Sequence, residues 1–426
     1  MEEMKTVIED YARKPVFASF LPGIAGLKGI PVWCLYVNRG QGIASFGTED
    51  KDHSIMEFSP AHQAWQNVKR TGFRTFIRSG GAFLEPFQSE CAGQRMTVSM
   101  NGLTVSEHNT EWGLDTQAEY YILPGEPIGA LVRRLTVTNT GTQEQELELL
   151  DGMPAVVPYG VNQWTMKNML QTGKAWMKAE ILENLPYYRV RASMEDTADV
   201  GRVEAGNFSL AVDGEGKRLL PVVDTELVFD YDTSLEQPVG FLKKGLEGLM
   251  SAVQNCENQV PCSFYGTKAR LLPGKSVMIC QMIGRAESRE VLGRFAGKKF
   301  GPQYFTEKKK EADVLVWRMT DRVETHTGNP VFDAYCRYTY MDNALRGGYP
   351  MPIDGDRVFY AYSRKHGDLE RDYNYFSMRP EFYSQGNGNF RDVNQNRRCD
   401  VSLSPFVGTA NIRIFYELLQ LDGYNP

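Results

Sequence analysis

Leu131-Val132-Arg133-Arg134-Leu135-Thr136-Val137-Thr138 places Leu131, Arg133, Leu135 and Val137 on one side of an extended chain and Val132, Arg134, Thr136 and Thr138 on the other. That period of two marks a β-strand. Asn139-Thr140-Gly141-Thr142 follows as a turn, and residues 144–150 alternate again. The spacing predicts a long antiparallel pair with one polar face. Residues 31–46 read the same way, with Val32 to Val37 and Gly42 to Phe46 flanking Asn38-Arg39-Gly40. So do residues 269–283, which turn at Pro273-Gly274. Repeated over residues 17–284, this pattern predicts one large antiparallel β-sandwich rather than a parallel α/β sheet. No G-x-G-x-x-G follows a strand and there is no P-loop, so nucleotide chemistry has no signature here.

Past Gly284 the period changes. Residues 287–296, 303–325, 331–345 and 405–421 read as helices, the last with Ile414, Leu418 and Leu421 as its apolar stripe. Lys308-Lys309-Lys310 reads as a solvated helix face. Between the later helices, residues 347–400 are rich in glycine, asparagine and charge, and long loops of that kind usually carry function. The fold class is therefore β plus α. A sandwich domain spans residues 1–284, a helical linker 285–330, and the first part of a helical domain 331–426.

The 426 residues are 42% hydrophobic and 23% charged, as in a soluble globular protein. Lys+Arg 47 against Asp+Glu 53 leaves a net charge of −6, so no general basic field favours nucleic acid. The seven cysteines, Cys34, Cys91, Cys256, Cys262, Cys280, Cys336 and Cys399, are odd in number and scattered. No His cluster accompanies them, which argues against zinc and for free thiols in a reducing compartment. The N-terminus, Met-Glu-Glu-Met-Lys, is acidic where a secretory leader is basic, and no apolar run reaches membrane-spanning length. The expected location is cytoplasmic, with no membrane partner. Trp33, Trp65, Trp112 and Trp164 are candidates for a sugar-stacking platform, with core packing the expected role for most of them.

Candidate chemistry concentrates near the carboxyl end. Ser384-Gln385-Gly386-Asn387-Gly388-Asn389 precedes Phe390-Arg391-Asp392-Val393-Asn394-Gln395-Asn396-Arg397-Arg398. Amide, guanidinium and carboxylate groups at that density are costly to bury without hydrogen bonds, and they offer the planar donors and acceptors that a polyhydroxylated ligand needs. The stretch reads as a sugar site. A second polar motif, Tyr362-Ser363-Arg364-Lys365-His366-Gly367-Asp368-Leu369-Glu370-Arg371-Asp372-Tyr373-Asn374, lies upstream. His366 titrates near neutrality and suits a phosphate or hydroxyl contact. The bland reading of both motifs is a network of ion pairs that shapes the loop.

These motifs, with residues 17–26 (Phe-Ala-Ser-Phe-Leu-Pro-Gly-Ile-Ala-Gly) and 36–41 (Tyr-Val-Asn-Arg-Gly-Gln), resemble the inverting phosphorylases of glycoside hydrolase family 94, and within it the branch that acts on β-1,2-oligoglucans. The resemblance implies an N-terminal supersandwich, a helical linker and an (α/α)6 catalytic barrel. In cellobiose phosphorylases an Arg-Asp-x-Asn-Gln-Asp motif holds the glucosyl unit. Arg391, Asp392, Asn394 and Gln395 match it, while Asn396 replaces the final carboxylate and loses its charge-assisted bond. By this resemblance Arg391, Asp392, Asn394, Gln395, Asn396 and Arg397 bind substrate, joined by Arg364, His366 and Asp368.

The implied reaction needs one carboxylic acid to protonate the glycosidic oxygen, while inorganic phosphate attacks the anomeric carbon from the opposite face. Phosphate and a β-glucan oligosaccharide are then the partners, no metal or organic cofactor is required, and the full-length enzyme is expected to be a homodimer. Asp392 is not assigned as the acid, because flanking arginines favour its ionised form. The family's acid is expected beyond Pro426, for twelve barrel helices need on the order of 200 residues, more than remain after Pro330. The chain is thus expected to be a truncated piece, inactive alone. The alternatives are a non-catalytic carbohydrate-binding module and a phosphorylase-like domain of a cyclic β-1,2-glucan synthase.

Overall fold

The computed structural model describes residues 5–194, 203–355, 357–362 and 395–424. The chain divides into two compact units, residues up to 313 and residues from 314.

The first unit is a large antiparallel β-sandwich with helices on its outer faces. Nine strands form the main sheet, in the spatial order Thr6–Glu9, Gln94–Ser99, Gly102–Asn109, Leu114–Ile122, Gly129–Asn139, Ser276–Ala286, Gly206–Asp213, Leu185–Val190 and Met177–Leu182. Opposite it lie a five-stranded sheet (Pro221–Val222, Ser263–Leu271, Gln145–Met153, Arg74–Ser79, Ala82–Leu84) and a four-stranded one (Ala18–Leu21, Val32–Val37, Ile43–Thr48, Ser54–Met56). Inner residues of the main sheet, such as Leu103, Val105 and Leu131, pack with Val32, Ile43 and Phe46, while Leu135, Val137 and Ile279 pack with Leu147, Leu149 and Tyr265. The outer face is covered too. Val132, Phe208 and Met282 bury Leu292 and Phe295 of the helix Arg289–Ala296, and Phe305 of the helix Pro302–Met319. On the far side Phe76, Leu150 and Phe264 meet Phe229 and Phe241 of the helices Thr225–Phe229 and Val239–Ser251. The helix Ala61–Thr71 packs on the four-stranded sheet, whose strands Val32–Val37 and Ile43–Thr48 are buried at every position.

The 31–46 hairpin forms as its spacing predicts. The other two expected hairpins do not. Gly129–Asn139 pairs with Leu114–Ile122 and Ser276–Ala286, whereas Gln145–Met153 pairs with Ser263–Leu271 and Arg74–Ser79. Both turns are therefore arches that carry the chain from one sheet to the other. Asn139 holds them side by side: its N–H donates to Lys275 O (2.9 Å), its carbonyl accepts from Gly274 N (2.7 Å), and its amide donates to Gln143 O (2.7 Å) and Leu271 O (2.9 Å). Alternation fixes which face a residue occupies and leaves the partner strand open.

On the apolar side of its strand, fully buried Arg133 bridges the two layers. It donates to both carboxylate oxygens of Asp151 (3.0 and 2.7 Å), to Gln41 Oε1 (2.6 Å), to Thr75 Oγ1 (3.1 Å) and to the Tyr120 hydroxyl. Gln281 adds a bond to Asp151 Oδ2 (2.6 Å). A buried pair of this kind is tolerable only with its remaining lone pairs filled, as here. Asn38 is equally enclosed, donating to Tyr11 O (3.0 Å) and Pro15 O (2.9 Å). The lysine run is not a freely solvated face: Lys308 reaches Glu126 (3.1 Å) and Pro124 O (2.9 Å), and Lys309 reaches Asp313 (2.5 Å). Of the four tryptophans, Trp33 is buried, Trp65 and Trp112 are half-buried, and Trp164 is exposed.

The second unit begins within the helix Pro302–Met319 and continues to Pro330–Gly347, whose Asn329 side chain caps Val331 N (3.0 Å) and Phe332 N (3.3 Å) with Pro330 at the first position. A hairpin of Tyr349–Asp354 and Arg357–Ala361 follows, inside the stretch expected to be irregular. After residue 395 come the short helix Asp400–Leu403 and the helix Ala410–Glu417. The latter stops short of Leu421, which is fully exposed rather than part of a stripe. Among the described residues no helix is long and apolar enough to cross a membrane.

Candidate functional site

Gln395, Asn396 and Arg397 form a helical turn in the second unit: Gln395 is exposed, Asn396 half-buried and Arg397 buried. Arg391, Asp392, Asn394, Arg364, His366 and Asp368 lie outside the described residues. The turn is fastened by Arg397, whose Nε donates to Gly347 O at 2.6 Å and whose guanidinium lies 3.6 Å from the centre of the Tyr360 ring. A cation at the last carbonyls of a helix meets the negative end of its dipole. Gly347 leaves little room here: a Cβ would sit 3.2 Å from Arg397 Cγ and 3.3 Å from Asn396 Cβ, so these side chains would have to give by a few tenths of an ångström.

Tyr360 ties this fastening to the rest of the unit. Its hydroxyl donates to Asp400 Oδ2 (2.8 Å) and accepts from Asn411 Nδ2 (2.7 Å). Burial raises the Asp400 carboxyl to about 6, against the opposing pull of the Tyr360 hydrogen bond and the charges of Arg397 and Arg322. Burial likewise lowers Arg397 to about 10, countered by Tyr360 and Asp400. Nearby, Arg322 donates to the Ser404 hydroxyl and stacks 4.7 Å from the Tyr349 ring centre. At the other side of the hairpin Tyr362, the first residue of the second polar motif, adopts a left-handed backbone (φ 59°), a costly conformation for a bulky residue.

Arg397 and Asp400, each 5% exposed, hold the turn in place, while Gln395 stays exposed and Asn396 half-buried. Sequence reasoning missed Tyr360, Asp400, Asn411 and Gly347. The one available signal was the glycine closing a helix next to a hairpin rich in aromatics.

In the first unit Glu49, Asp50 and His53 bring potential ligand atoms within 4.8 Å of one another. Glu49 is already paired with Arg285, and Asp50 Oδ1 accepts from His53 Nδ1 (2.7 Å) and Asp52 N (3.0 Å). Internal partners thus satisfy this cluster.

No family model matches the chain, and no curated protein does. Among solved structures the chain is similar to a bacterial glucoamylase complexed with acarbose (8% identity, 82% of this chain and 46% of that one, TM-score 0.37). It is also similar to a protein described as a kojibiose phosphorylase from the human microbiome (6%, 80% and 32%, 0.29). A third likeness is to a family GH92 α-mannosidase from Bacteroides thetaiotaomicron in complex with mannoimidazole (11%, 81% and 40%, 0.32). The chain spans less than half the length of each. Likenesses this remote bear on neither site nor chemistry.

Proposed function

We propose that the chain supplies the glucosyl-holding portion of an inverting glycoside phosphorylase, acting on β-1,2-oligoglucan and inorganic phosphate to give α-glucose 1-phosphate and a shortened glucan. The reading rests on the family motif and is carried by one structural observation. Gln395 and Asn396, at the described end of the motif, lie in a turn fastened by Arg397, Tyr360 and Asp400 and so stand on a rigid base. Rigid positioning is what phosphorolysis asks of its sugar contacts, because a misplacement of about 1 Å can cost about a hundredfold in rate. In the proposed reaction Arg391, Asp392, Asn394, Gln395 and Asn396 hydrogen-bond the hydroxyls of the terminal glucosyl ring. Phosphate displaces the aglycone at the anomeric carbon from the opposite face, and a general acid outside this motif protonates the leaving oxygen.

Titration with sophorotriose tests the binding half. Arg391→Ala is expected to weaken affinity at least tenfold, and unchanged affinity rejects the assignment. Phosphate-dependent release of glucose 1-phosphate in the same samples separates an enzyme from a module that only binds glucan.

A further inference from the structure

On the sandwich, a cleft of about 500 Å³ opens between the helix Ala61–Thr71, the strand pair Arg74–Ser79 and Ala82–Leu84, and the Leu235–Glu236–Gln237 loop. Its size falls in the range of small-ligand sites, ~300–1,000 Å³. Its floor is a fixed ion pair. Arg74 grips Glu85 with two bonds (2.6 and 2.7 Å) and gives two more N–H groups to the carbonyls of Leu235 and Glu236. Leu235 is held there in a left-handed backbone (φ 62°), so the loop keeps its shape at a conformational cost.

The walls present amides. Gln88 donates to Lys69 O (2.9 Å) and Glu85 Oε1 (2.7 Å), which fixes its plane, and its carbonyl oxygen makes no hydrogen bond among the described residues. Gln66 and Gln237 make no side-chain hydrogen bond among the described residues. The half-buried Phe83 ring supplies an apolar wall. Lys69 and Arg70 line the cleft too, but Arg74 gives four of its five N–H groups to Glu85 and two carbonyls, and the carboxylates of Glu85 and Glu236 in the same lining oppose a bound carboxylate or phosphate. Planar amides with open donors and acceptors beside one ring fit an uncharged polyol instead.

We infer that this cleft is a second carbohydrate site, which binds a neutral β-glucan chain through Gln66, Gln88 and Gln237 with a sugar ring against Phe83. It rests on the carbohydrate reading above but uses none of the same residues. Such a site raises the local concentration of a polymeric substrate through a second point of attachment.

The experiment is calorimetric titration of the full chain with β-1,2-glucan oligosaccharides, compared for wild type, Phe83→Ala, Gln66→Ala/Gln237→Ala and Arg391→Ala. Gln66 and Gln237 are exposed, so the double variant is expected to fold as wild type does. The inference expects two classes of site, with the cleft variants losing one at least tenfold and Arg391→Ala keeping it. Wild-type binding by both cleft variants overturns it. Loss of all binding in Arg391→Ala also overturns it, and leaves the proposed function standing. Loss confined to the cleft variants supports the cleft while refuting the role of Arg391. Tight binding of inorganic phosphate alone, abolished by Lys69→Ala/Arg70→Ala, would mark an anion site and reject the inference.

Discussion

Tyr360→Phe removes one oxygen and, by the geometry, loosens the turn that carries Gln395 and Asn396. The hydroxyl donates to the buried Asp400 carboxyl at 2.8 Å and accepts from Asn411 at 2.7 Å. A hydrogen bond to a charged partner contributes about 1.5–3 kcal/mol, and an orphaned buried donor costs about 1 kcal/mol more when water cannot reach it. The expected loss is about 2–3 kcal/mol above the titration of Asp400.

The pH dependence is specific. The folded Asp400 carboxyl, raised to about 6, holds its proton more tightly than the unfolded one. Stability contributed by this group is therefore present at low pH, falls as pH rises towards 6, and is flat above. Tyr360 favours the ionised form, so its removal raises the carboxyl further and extends the fall to higher pH. The variant's deficit should be near 1 kcal/mol at pH 5, where only a neutral hydrogen bond is lost, and full at pH 7.5. Hydrogen exchange of amides in residues 395–417 reads this directly, with protection at pH 7.5 falling ~30- to 150-fold. Unchanged protection, or an equal loss at both pH values, refutes the reasoning.

Arg133→Met should cost about 3–5 kcal/mol by leaving the Asp151 carboxylate buried without its cation. Urea unfolding of the single variant against Arg133→Met/Asp151→Leu checks this, since the double variant should lose less than the sum of the singles. Gly347→Ala adds a methyl 3.2 Å from Arg397 Cγ and gains up to about 1 kcal/mol of helix propensity. Its melting temperature should therefore stay within a few degrees of wild type while sophorotriose affinity falls several-fold, as paired thermal unfolding and titration would show.

The strands were legible because burial imposes a period of two. At residues 134–138 the pattern reads out residue by residue, half-buried polar positions alternating with buried Leu135 and Val137. What period cannot carry is partnership. A turn of Asn, Thr and Gly closes a hairpin or an arch equally well, and the deciding bonds from Asn139 to residues 271–275 are made between distant parts of the sequence. Arg133 gave no warning of its burial, because its compensation comes from three separate strands and a turn. The polar motif was legible as a dense local string. Its support was not, since Gly347, Tyr360, Asp400 and Asn411 are single residues with no common spacing, and a lone aspartate looks the same whether it faces water or a tyrosine hydroxyl.

The two arches stitch the layers together in a way that reaches back to synthesis. Val137 must wait for Val277, and Gln145 for Leu271, before either central strand has its neighbour on that side. At roughly 5–20 residues per second, the ribosome leaves those edges open for on the order of ten seconds. Throughout that interval Gly129–Asn139 and Gln145–Met153 each keep one edge with unfilled backbone groups. The laced architecture thus delays completion of both sheets until the chain beyond residue 277 has emerged, and each arch ties the completion of one sheet to that of the other.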